Sequence, residues 1–563
     1  MLEGEMAFTT ITAITIENFK TISKPVRIEL APITLLFGSN SAGKSTIIQA
    51  LHYMREVLEH GNLDADNSSW AGEYLDFGGF KSLVNGHDLN KSIRIRVDFL
   101  CAPTFFKVYP AFPFPGIDGD QIEVCDIRTE YWDSWLTFCY FFEIEVSWNF
   151  KSSSPCLSRV SSGLFDEKIA DIVRASSPVH VEGVQPSFDE FLKYVNFDHE
   201  VFCSCGDSFL QELVAGLLPD DFLAGKSDVG IPASLCCSPP TLWADNLAFD
   251  PEFVEKLMRD RSEVEQADAL RKILKFESYL SQLIKGPADI LLEALQGMAY
   301  VGPIRKTPER HFAPRKTSDP ARWATGLAAW DKLFLADQEF IDELNRWLAE
   351  PERLGAGYKV EARRFREIDS SHEIWSLLDS SGEADLASIM KTIQKDTPEK
   401  KELSLLDLRR NCNVLPHDIG IGISQMMPVL IAALDKKVGV AVIEQPELHI
   451  HPGLQCRLAD LFILSALGSA CSQSPGPDYG HTQFLLETHS EHLLLRLLRR
   501  IRETTDGTLP DWHCGLKPEN LSINFIDFQN GKHSVRRLQV SEDGDSSGNW
   551  PEGFFEERAE ELF

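Results

Sequence analysis

The sequence predicts an α/β fold in which helices surround a mixed sheet, with a phosphate-binding loop at the end of one strand. Three observations lead to this prediction. Residues 38–46 read G-x-x-x-x-G-K-[ST] and lie between an apolar strand and a helix. Two later apolar strands end in the polar clusters 444–447 and 487–490. Polar groups gathered where parallel strands end are typical of nucleotide-binding α/β folds.

The composition is that of a large acidic protein. Its 563 residues suggest three or four structural units at about 150 residues each. The net charge of −30 argues against nucleic-acid binding over the whole surface, because such binders are usually basic. A local basic groove or a basic protein partner stays open. A solvated acidic surface that keeps the protein soluble is the simpler explanation.

No membrane or export segment is predicted. The first residues carry Glu3 and Glu5 instead of a basic region. No apolar run approaches the roughly 18 residues of a membrane span. We therefore expect a soluble, cytoplasmic protein that does not enter a membrane. The 12 cysteines include no C-x-x-C pair, so we expect thiols and no zinc site.

The first hundred residues alternate between strand and helix patterns. Residues 10–17 are rich in β-branched types and predict a strand, 25–30 a second and 33–37 a third, buried one. A helix is expected from Ser45 toward Leu58. This strand–loop–helix order is the context that a phosphate-binding loop needs.

The loop residues have distinct expected roles. Gly38 and Gly43 let the backbone wrap phosphate groups with its N–H groups exposed. We expect Lys44 to pair with the β- and γ-phosphates of ATP, and Ser45 to ligate Mg²⁺. The residues expected to bind the nucleotide are Gly38, Ser39, Asn40, Ser41, Ala42, Gly43, Lys44, Ser45 and Thr46.

The middle of the chain is less regular. Residues 93–98 and 138–146 predict strands, and 251–298 has a helical period that Gly286-Pro287 interrupts. After a short strand at 299–301 comes a basic cluster, which could meet nucleic acid or phosphate, or simply pair with the acidic surface. Its members are Arg305, Lys306, Arg310, Arg315, Lys316 and Arg322. An amphipathic helix at 327–348 and strands at 358–365 and 373–378 follow.

Three features of the second half concern the same chemistry. Ser424 follows a Gly-x-Gly turn and is expected to cap a helix N-terminus, which is an anion site. The buried strand 438–443 ends in Glu444, where a carboxylate can hold Mg²⁺ or its water. The strand 483–486 leads to His489, which could sense a γ-phosphate, although a lone histidine is more often structural.

Together and in this order, these motifs resemble the ABC-type ATPase head. The closer resemblance is to its RecF-like and overcoming-lysogenization-defect (OLD) branch, whose heads are split by a helical insertion. Ser424 with its preceding glycines is similar to that branch's signature motif. Residues 444–452 are similar to its extended Walker B and D-loop, and His489 occupies the place of the switch histidine.

A narrower resemblance concerns residues 302–305 and 549–555. They are similar to ATPases with a C-terminal domain of unknown function, including the PtuA-like ATPase subunit of Septu and retron-linked antiphage systems. The resemblance implies ATP and Mg²⁺ as cofactors and a homodimer or higher even-numbered oligomer. Ser424 of one subunit would then cap ATP bound to the P-loop, Glu444 and His489 of the other.

Two positions depart from the family pattern. The residue after the Walker B carboxylate is usually a catalytic Glu, whereas this chain has Gln445, which can orient a water but cannot accept its proton. We therefore expect slow hydrolysis of ATP to ADP and phosphate, with Glu447 as a candidate replacement carboxylate. The segment 73–87, where a Q-loop would fall, contains no Gln.

Three functions stay open on the sequence alone. The first is an ATPase switch that controls a separate effector, which the resemblance implies is an HNH nuclease of antiphage defence. The second is a RecF-like DNA-repair ATPase that binds DNA, or RNA, through the basic cluster. The third, a nuclease in its own right, is disfavoured because Asp118, Asp120, Asp543 and Asp545 lie in turn-like sequence.

The predicted organisation has five parts. Lobe I with the P-loop spans 1–100, and an inserted region with a helical arm spans 101–298. The chain returns to the head over 299–415. Lobe II with the signature, Walker B and switch histidine spans 416–500, and a small α+β extension spans 501–563.

Overall fold

The computed structural model describes most of the predicted head. The described residues are 9–39, 42–68, 72–101, 138–164, 166–173, 286–310, 321–371, 399–468, 482–529 and 532–547, with isolated positions between them. Asp118 and Asp120 lie outside these ranges. So does the strand predicted over 373–378, of which only residue 375 is described. The same holds for the helical pattern before residue 286.

The elements alternate along the chain as the sequence predicts. The strands are β1 (Thr10–Glu17), β2 (Val26–Glu29), β3 (Ile33–Gly38), β4 (Asn67–Ser68), β5 (Gly72–Asp76), β6 (Ile93–Cys101), β7 (Phe138–Asn149), β8 (Ser154–Leu164), β9 (Glu167–Val173), β10 (Met298–Val301), β11 (Tyr358–Arg366), β12 (Glu399–Asp407), β13 (Cys412–Val414), β14 (Val440–Glu444), β15 (Gln483–Glu487), β16 (Leu521–Gln529), β17 (Lys532–Val540) and β18 (Ser546–Ser547). The helices are α1 (Lys44–His60), α2 (Gly79–Leu83), α3 (Gly286–Gln296), α4 (Ala321–Ala324), α5 (Leu327–Leu335), α6 (Gln338–Ala349), α7 (Ile421–Leu434), α8 (Pro452–Leu467) and α9 (Glu491–Thr505).

A seven-stranded mixed sheet carries the motifs. Its strand order is β10-β14-β15-β3-β16-β17-β18. The first five strands run parallel to their neighbours, and the last two pair antiparallel. Because parallel strands end at one edge, β3, β14 and β15 bring the P-loop and both polar clusters together. The predicted mixed α/β fold is confirmed.

A six-stranded antiparallel sheet, in the order β2-β1-β6-β7-β8-β9, packs on one side of this mixed sheet. Alternate residues of the P-loop strand face different cores. Leu36 packs in a core with Ile47 of α1, and Leu35 packs in a second core with Met426 of α7. The P-loop helix and the helix of Ser424 therefore lie on opposite faces of the mixed sheet.

Two helices differ from the predicted pattern. The amphipathic stretch predicted over 327–348 forms α5 and α6, because Asp337 starts a new helix by accepting a hydrogen bond from the Phe340 N–H at 2.9 Å. Gly286-Pro287, expected to interrupt a helix, are the first two described residues of α3, and the residues before them lie outside the described ranges.

The C-terminal strands differ most from the prediction. The sequence analysis treated 501–563 as an extension, yet β16 lies beside the P-loop strand with Leu521 opposite Ile33 and Ile526 opposite Gly38. The end of the chain thus completes the sheet that carries the site. No helix within the described ranges is long and apolar enough to cross a membrane.

Candidate nucleotide-binding site

The P-loop backbone has a conformation that only glycine fits at two positions. Gly38 has φ +144° and Gly43 has φ +102°. A Cβ atom on Gly38 would lie 2.2 Å from the Ile526 carbonyl oxygen, and one on Gly43 would lie 3.3 Å from Thr21 Oγ1. Ala42 and Thr46 are buried beneath the loop. Of the predicted nucleotide ligands, Asn40 and Ser41 lie outside the described residues.

Lys44 and Ser45 face the end of β15. The Lys44 ammonium donates hydrogen bonds to the carbonyl oxygens of Gly38 and Ser39, each at 3.0 Å, and lies 3.8 Å from the Glu487 carboxylate. Ser45 Oγ donates to the same carboxylate at 2.9 Å. Burial lowers the pKa of Lys44, and the carboxylates nearby oppose that shift. Lys44 and Ser45 are thus both bonded to oxygen atoms of the protein itself.

A pair of buried carboxylates stands beside Lys44. Glu444 and Glu487 are register partners at the ends of β14 and β15. The Tyr300 hydroxyl donates to Glu444 at 2.9 Å. Burial, and then the charge of Glu487, raise the pKa of Glu444 to about 7. Two carboxylates and one ammonium leave a local demand for positive charge.

This donor set fits Mg²⁺. Carboxylate and hydroxyl oxygens from Glu444, Glu487 and Ser45 are the ligands that Mg²⁺ prefers. Within the described ranges, no three His, Cys, Asp or Glu side chains form a metal site of their own. A magnesium ion at a P-loop needs fewer protein ligands because phosphate oxygens and water complete its shell.

Glu487 is the site residue that the sequence analysis did not identify. The sequence analysis placed residue 487 in the polar cluster after a strand but predicted a functional role there for His489 alone. The available signal was its position, since an acidic residue ends both neighbouring apolar strands. The hydrogen bond to Ser45, 442 residues away in the chain, could not be inferred from spacing.

Gln445, Glu447 and His489 form the turn beyond these strands. Gln445 has φ +46°, and its N–H donates to the Glu487 carbonyl oxygen at 2.7 Å. The Glu447 carboxylate accepts from Thr488 Oγ1 at 2.8 Å and from the His489 N–H at 2.7 Å. Glu447 therefore joins the Walker B turn to the switch-histidine segment. His489 itself is exposed, and partial burial lowers its pKa.

Ser424 does not cap its helix. Helix α7 begins at Ile421, so Ser424 lies in its first turn, where its buried Oγ donates to the Ile421 carbonyl at 2.9 Å. The prediction of an N-cap was wrong because Gly422 and Ile423 are already helical. Gly422 permits a close approach, since a Cβ there would lie 2.8 Å from the His449 carbonyl oxygen.

Arg305, the first residue of the basic cluster, is buried. Its guanidinium donates to the carbonyl oxygens of Gln425 at 3.1 Å, Glu444 at 2.7 Å and Gln445 at 3.1 Å. The Gln425 side chain bonds the Arg305 backbone in return. Burial lowers the pKa of Arg305 to about 10. Arg305 thus ties the start of α7 to the end of β14 and is not available to DNA.

Three other members of the basic cluster pair with acidic side chains. The pairs are Arg310 with Asp418, Arg315 with Asp319, and Arg322 with Asp331. Lys316 lies outside the described residues. Three of the six charges therefore pair with the protein's own acidic groups, as one of the two alternatives predicted, while the side chains of Arg310 and Arg315 stay 63% and 60% exposed.

An open cavity of about 390 Å³ lies beside the P-loop. Thr21, which approaches Gly43, is one of its lining residues, together with Lys20 and Phe77. The Lys20 ammonium donates to the Asp76 carbonyl oxygen at 3.3 Å. None of its lining residues belongs to the P-loop, so the cavity adjoins the loop only through Thr21.

Three family models match the chain. Residues 10–178 match an AAA ATPase domain, and residues 302–496 match a model described as "AAA domain, putative AbiEii toxin, Type IV TA system". These matches support an ATPase of the ABC/AAA type. Residues 516–563 of the ATPase match a protein family of unknown function, DUF3696. The sites described above fall within the matched segments.

Solved structures with similar features are ATPase heads. An Smc head bound to the C-winged helix domain of ScpA is 12% identical, with 94% of this chain and 98% of that chain covered and a TM-score of 0.35. The SMC head domain from Thermotoga maritima is 10% identical, with 94% of this chain and 100% of that chain covered and a TM-score of 0.33. The recombination mediator protein RecF ("RecF-ATPrS") is 9% identical, with 94% of this chain and 99% of that chain covered and a TM-score of 0.28. A search of curated proteins found no match.

Proposed function

We propose that this ATPase is an ATP-dependent switch that hydrolyses ATP slowly and controls a separate effector nuclease in bacterial antiphage defence. One observation carries the nucleotide part of the proposal. The P-loop residues Lys44 and Ser45 face two buried carboxylates, Glu444 and Glu487, at one sheet edge. That arrangement has the positive charge, hydroxyl and oxygen ligands that phosphoryl transfer requires.

Each residue of the site has a proposed task. The N–H groups of 38–46 cradle the phosphates, and Lys44 leaves its internal carbonyl partners to pair with the β- and γ-phosphates. Ser45 and Glu444 hold Mg²⁺, with Glu487 as a further oxygen ligand. When bound, Mg²⁺ neutralises charge on the phosphate oxygens. His489, exposed beyond β15, is placed to contact the γ-phosphate.

Slow turnover follows from the residue beside Glu444. Gln445 can orient the attacking water but cannot accept its proton, and Glu447 is already engaged by Thr488 and the His489 N–H. Positioning and charge stabilisation supply most of the catalysis in phosphoryl transfer, so some activity remains. We therefore propose a long-lived ATP-bound state as the signalling form.

We further propose that the ATP-bound state is a head-to-head homodimer. Ser424 lies on the face of the mixed sheet opposite α1, so its own P-loop is not its partner. In the dimer, Ser424 would complete the ATP site of the other subunit by exchanging its buried bond to the Ile421 carbonyl for one to the γ-phosphate. The tie through Arg305 would then link Ser424's helix to Glu444 and hence to the subunit's own ATP.

Two observations support a partner protein as the target of the switch. The net charge of −30 suits a basic partner, and three arginines of the basic cluster already pair with acidic side chains of the chain itself. The description of the matched AAA domain names a toxin of a Type IV TA system, which is a related biological setting. The identity of the effector as an HNH nuclease rests on the family resemblance.

The nucleotide part is tested by measuring ATP affinity and phosphate release on the purified chain. We expect Lys44→Ala to weaken ATP binding by about 100-fold or more, because a buried charge–phosphate contact is lost. Ser534→Ala, an exposed position on β17, serves as the control. Wild-type protein that binds no ATP in the presence of Mg²⁺ would refute the proposal.

The effector part is tested by affinity purification of the tagged chain from its host with ATP present, read by mass spectrometry. A nuclease recovered in stoichiometric amount with wild-type protein, and lost with Lys44→Ala, is the expected result. Recovery of wild type alone, or with DNA only, would contradict control of a nuclease and favour a RecF-like role.

A further inference from the structure

The hairpin formed by β16 and β17, here called the C-terminal hairpin (521–540), touches the P-loop at both of its required glycines. Strand β16 pairs with the P-loop strand up to Ile526 opposite Gly38. The Ile526 carbonyl oxygen would lie 2.2 Å from a Cβ on Gly38. The conformation at the start of the P-loop is therefore fitted to the backbone of the C-terminal hairpin.

His533 makes the second contact. It is the cross-strand partner of Phe528, and the centroids of the two rings are 4.5 Å apart. Its Cε1 and Nδ1 atoms would lie 3.4 Å from a Cβ on Gly43, while Thr21 Oγ1 would lie 3.3 Å from the same point. Side chains from the two ends of the chain thus border one residue of the P-loop.

The imidazole is sheltered in this position. Solvent reaches neither of its ring nitrogens. Neither nitrogen has a hydrogen-bond partner among the described residues, so the ring contacts the loop by packing, and burial lowers the pKa of His533. Phe528 is 51% exposed and packs against the ring, so the pair stands at the edge of the loop. Aromatic packing of this kind fixes a ring in place at little cost in side-chain entropy.

We propose that the C-terminal hairpin is a working part of the nucleotide site, in which His533 is a positioning residue that holds Ala42 and Gly43 in the phosphate-binding conformation. A loop that binds phosphate through its N–H groups gains affinity when those groups are already oriented. His533 supplies that orientation from 490 residues further along the chain than Gly43. The inference rests on the proposed ATP binding at the P-loop and gives the segment matched by DUF3696 a role in it.

The experiment measures the Kd of the full chain for a fluorescent ATP analogue with Mg²⁺ at 25 °C, where each variant is shown to be folded by circular dichroism. His533→Ala is expected to weaken binding by roughly 3- to 10-fold, because an oriented loop is exchanged for a mobile one. His533→Phe keeps a ring of similar shape and is expected to bind within about 2-fold of wild type. Ser534→Ala, exposed on the same strand, is the matched control.

The outcomes separate the two proposals. If wild type binds no nucleotide, the proposed function fails and the variants decide nothing further about it. If wild type binds and His533→Ala binds equally well, the positioning role is refuted while ATP binding stands. A His533→Phe variant as weak as His533→Ala would also refute it, since ring packing would then not be the cause. A purely structural role would lower the melting temperature without changing Kd.

Discussion

Two buried charge clusters in this protein are balanced in opposite ways. Between α8 and α9, Asp460 accepts from Arg500 Nε at 2.7 Å and from Arg496 at 3.1 Å, and His513 Nε2 lies 3.2 Å away. Burial by itself would raise the pKa of Asp460, but these hydrogen bonds outweigh it and lower the pKa. One carboxylate there meets two guanidinium groups, so the cluster is satisfied within the chain.

The nucleotide site has the reverse balance. Glu444 and Glu487 lie beside the Lys44 ammonium and the charge of Arg305 also favours ionised Glu444, yet the pKa of Glu444 is still raised to about 7. The charged form of a buried carboxylate is thus stabilised at Asp460 and destabilised at Glu444. The difference indicates that the first cluster supports the fold, and it agrees with our proposal that a cation and a nucleotide bind at the second.

The largest expected effect tests the satisfied cluster. Asp460→Asn takes the shared carboxylate away from Arg496, Arg500 and His513, although Arg500 keeps its ion pair with Glu503, and we expect the free energy of unfolding to fall by about 3–5 kcal/mol. Urea unfolding measures the change. Asp506→Asn, an exposed position at the end of α9, should change stability by less than about 0.5 kcal/mol. An Asp460→Asn protein as stable as wild type would contradict the conclusion that the Asp460 cluster stabilises the fold.

The next prediction tests the other side. With no Mg²⁺ or nucleotide, Glu444→Gln should stabilise the protein at pH 8 by on the order of 2–4 kcal/mol and change little at pH 5. The folded pKa of Glu444 is raised from 4.5 to about 7, so the folded state holds an extra proton between these values. Wild-type stability therefore falls as pH rises through that window, and Gln avoids the loss. The same variant should lose most ATP hydrolysis.

Thermal melts at pH 5 and pH 8 measure this effect. Asp506→Asn is the matched control, because a change at this exposed position should alter stability by less than about 0.5 kcal/mol at either pH. If Glu444→Gln is less stable than wild type at pH 8, the charged pair of Glu444 and Glu487 does not lower the stability of the protein without ligand. The second cluster would then be satisfied like the first.

The sequence was sufficient where the information is local. The P-loop, the strand ending in Glu444 and the strand before His489 each combine an apolar run with a polar end, and all three fall at the predicted positions. Their meeting at one sheet edge followed from the parallel order of strands. These features needed no knowledge of the rest of the chain.

What the sequence could not supply depends on register and burial. Arg305 looked like one of six exposed cations, but it is 2% exposed because its guanidinium finds three carbonyl oxygens on α7 and beyond β14. The strand β16 looked like part of an extension, because nothing in its own residues says which strand it will pair with. Both errors concern contacts between residues more than 100 positions apart.

A smaller effect is expected at the residue that lacks the catalytic carboxylate. Gln445→Glu changes no backbone requirement, because the N–H that bonds the Glu487 carbonyl is retained. A general base there should raise turnover by roughly 10-fold or more. Steady-state phosphate release measures it, with Gln539→Glu, an exposed position on β17, as a control. Unchanged turnover in Gln445→Glu would contradict the explanation of slow hydrolysis.

The smallest effect concerns the one hydrogen bond that favours the charged form of Glu444. Tyr300→Phe removes the hydroxyl that donates to this carboxylate, so the pKa of Glu444 should rise further, by about 0.5–1 unit. ATP hydrolysis near pH 7 should then fall by roughly 3-fold and recover above pH 8, where the carboxylate ionises again.

The pH profile of hydrolysis separates this effect from simple loss of packing. Tyr53→Phe is the matched control, because the buried hydroxyl of Tyr53 donates to the Leu63 carbonyl oxygen at 2.8 Å and not to a carboxylate. Tyr53→Phe should lower stability without moving the profile. If Tyr300→Phe lowers activity equally at every pH, Tyr300 acts through packing, and the raised pKa of Glu444 does not govern the site. The contrast with Asp460 would then reflect burial alone and not readiness for a cation.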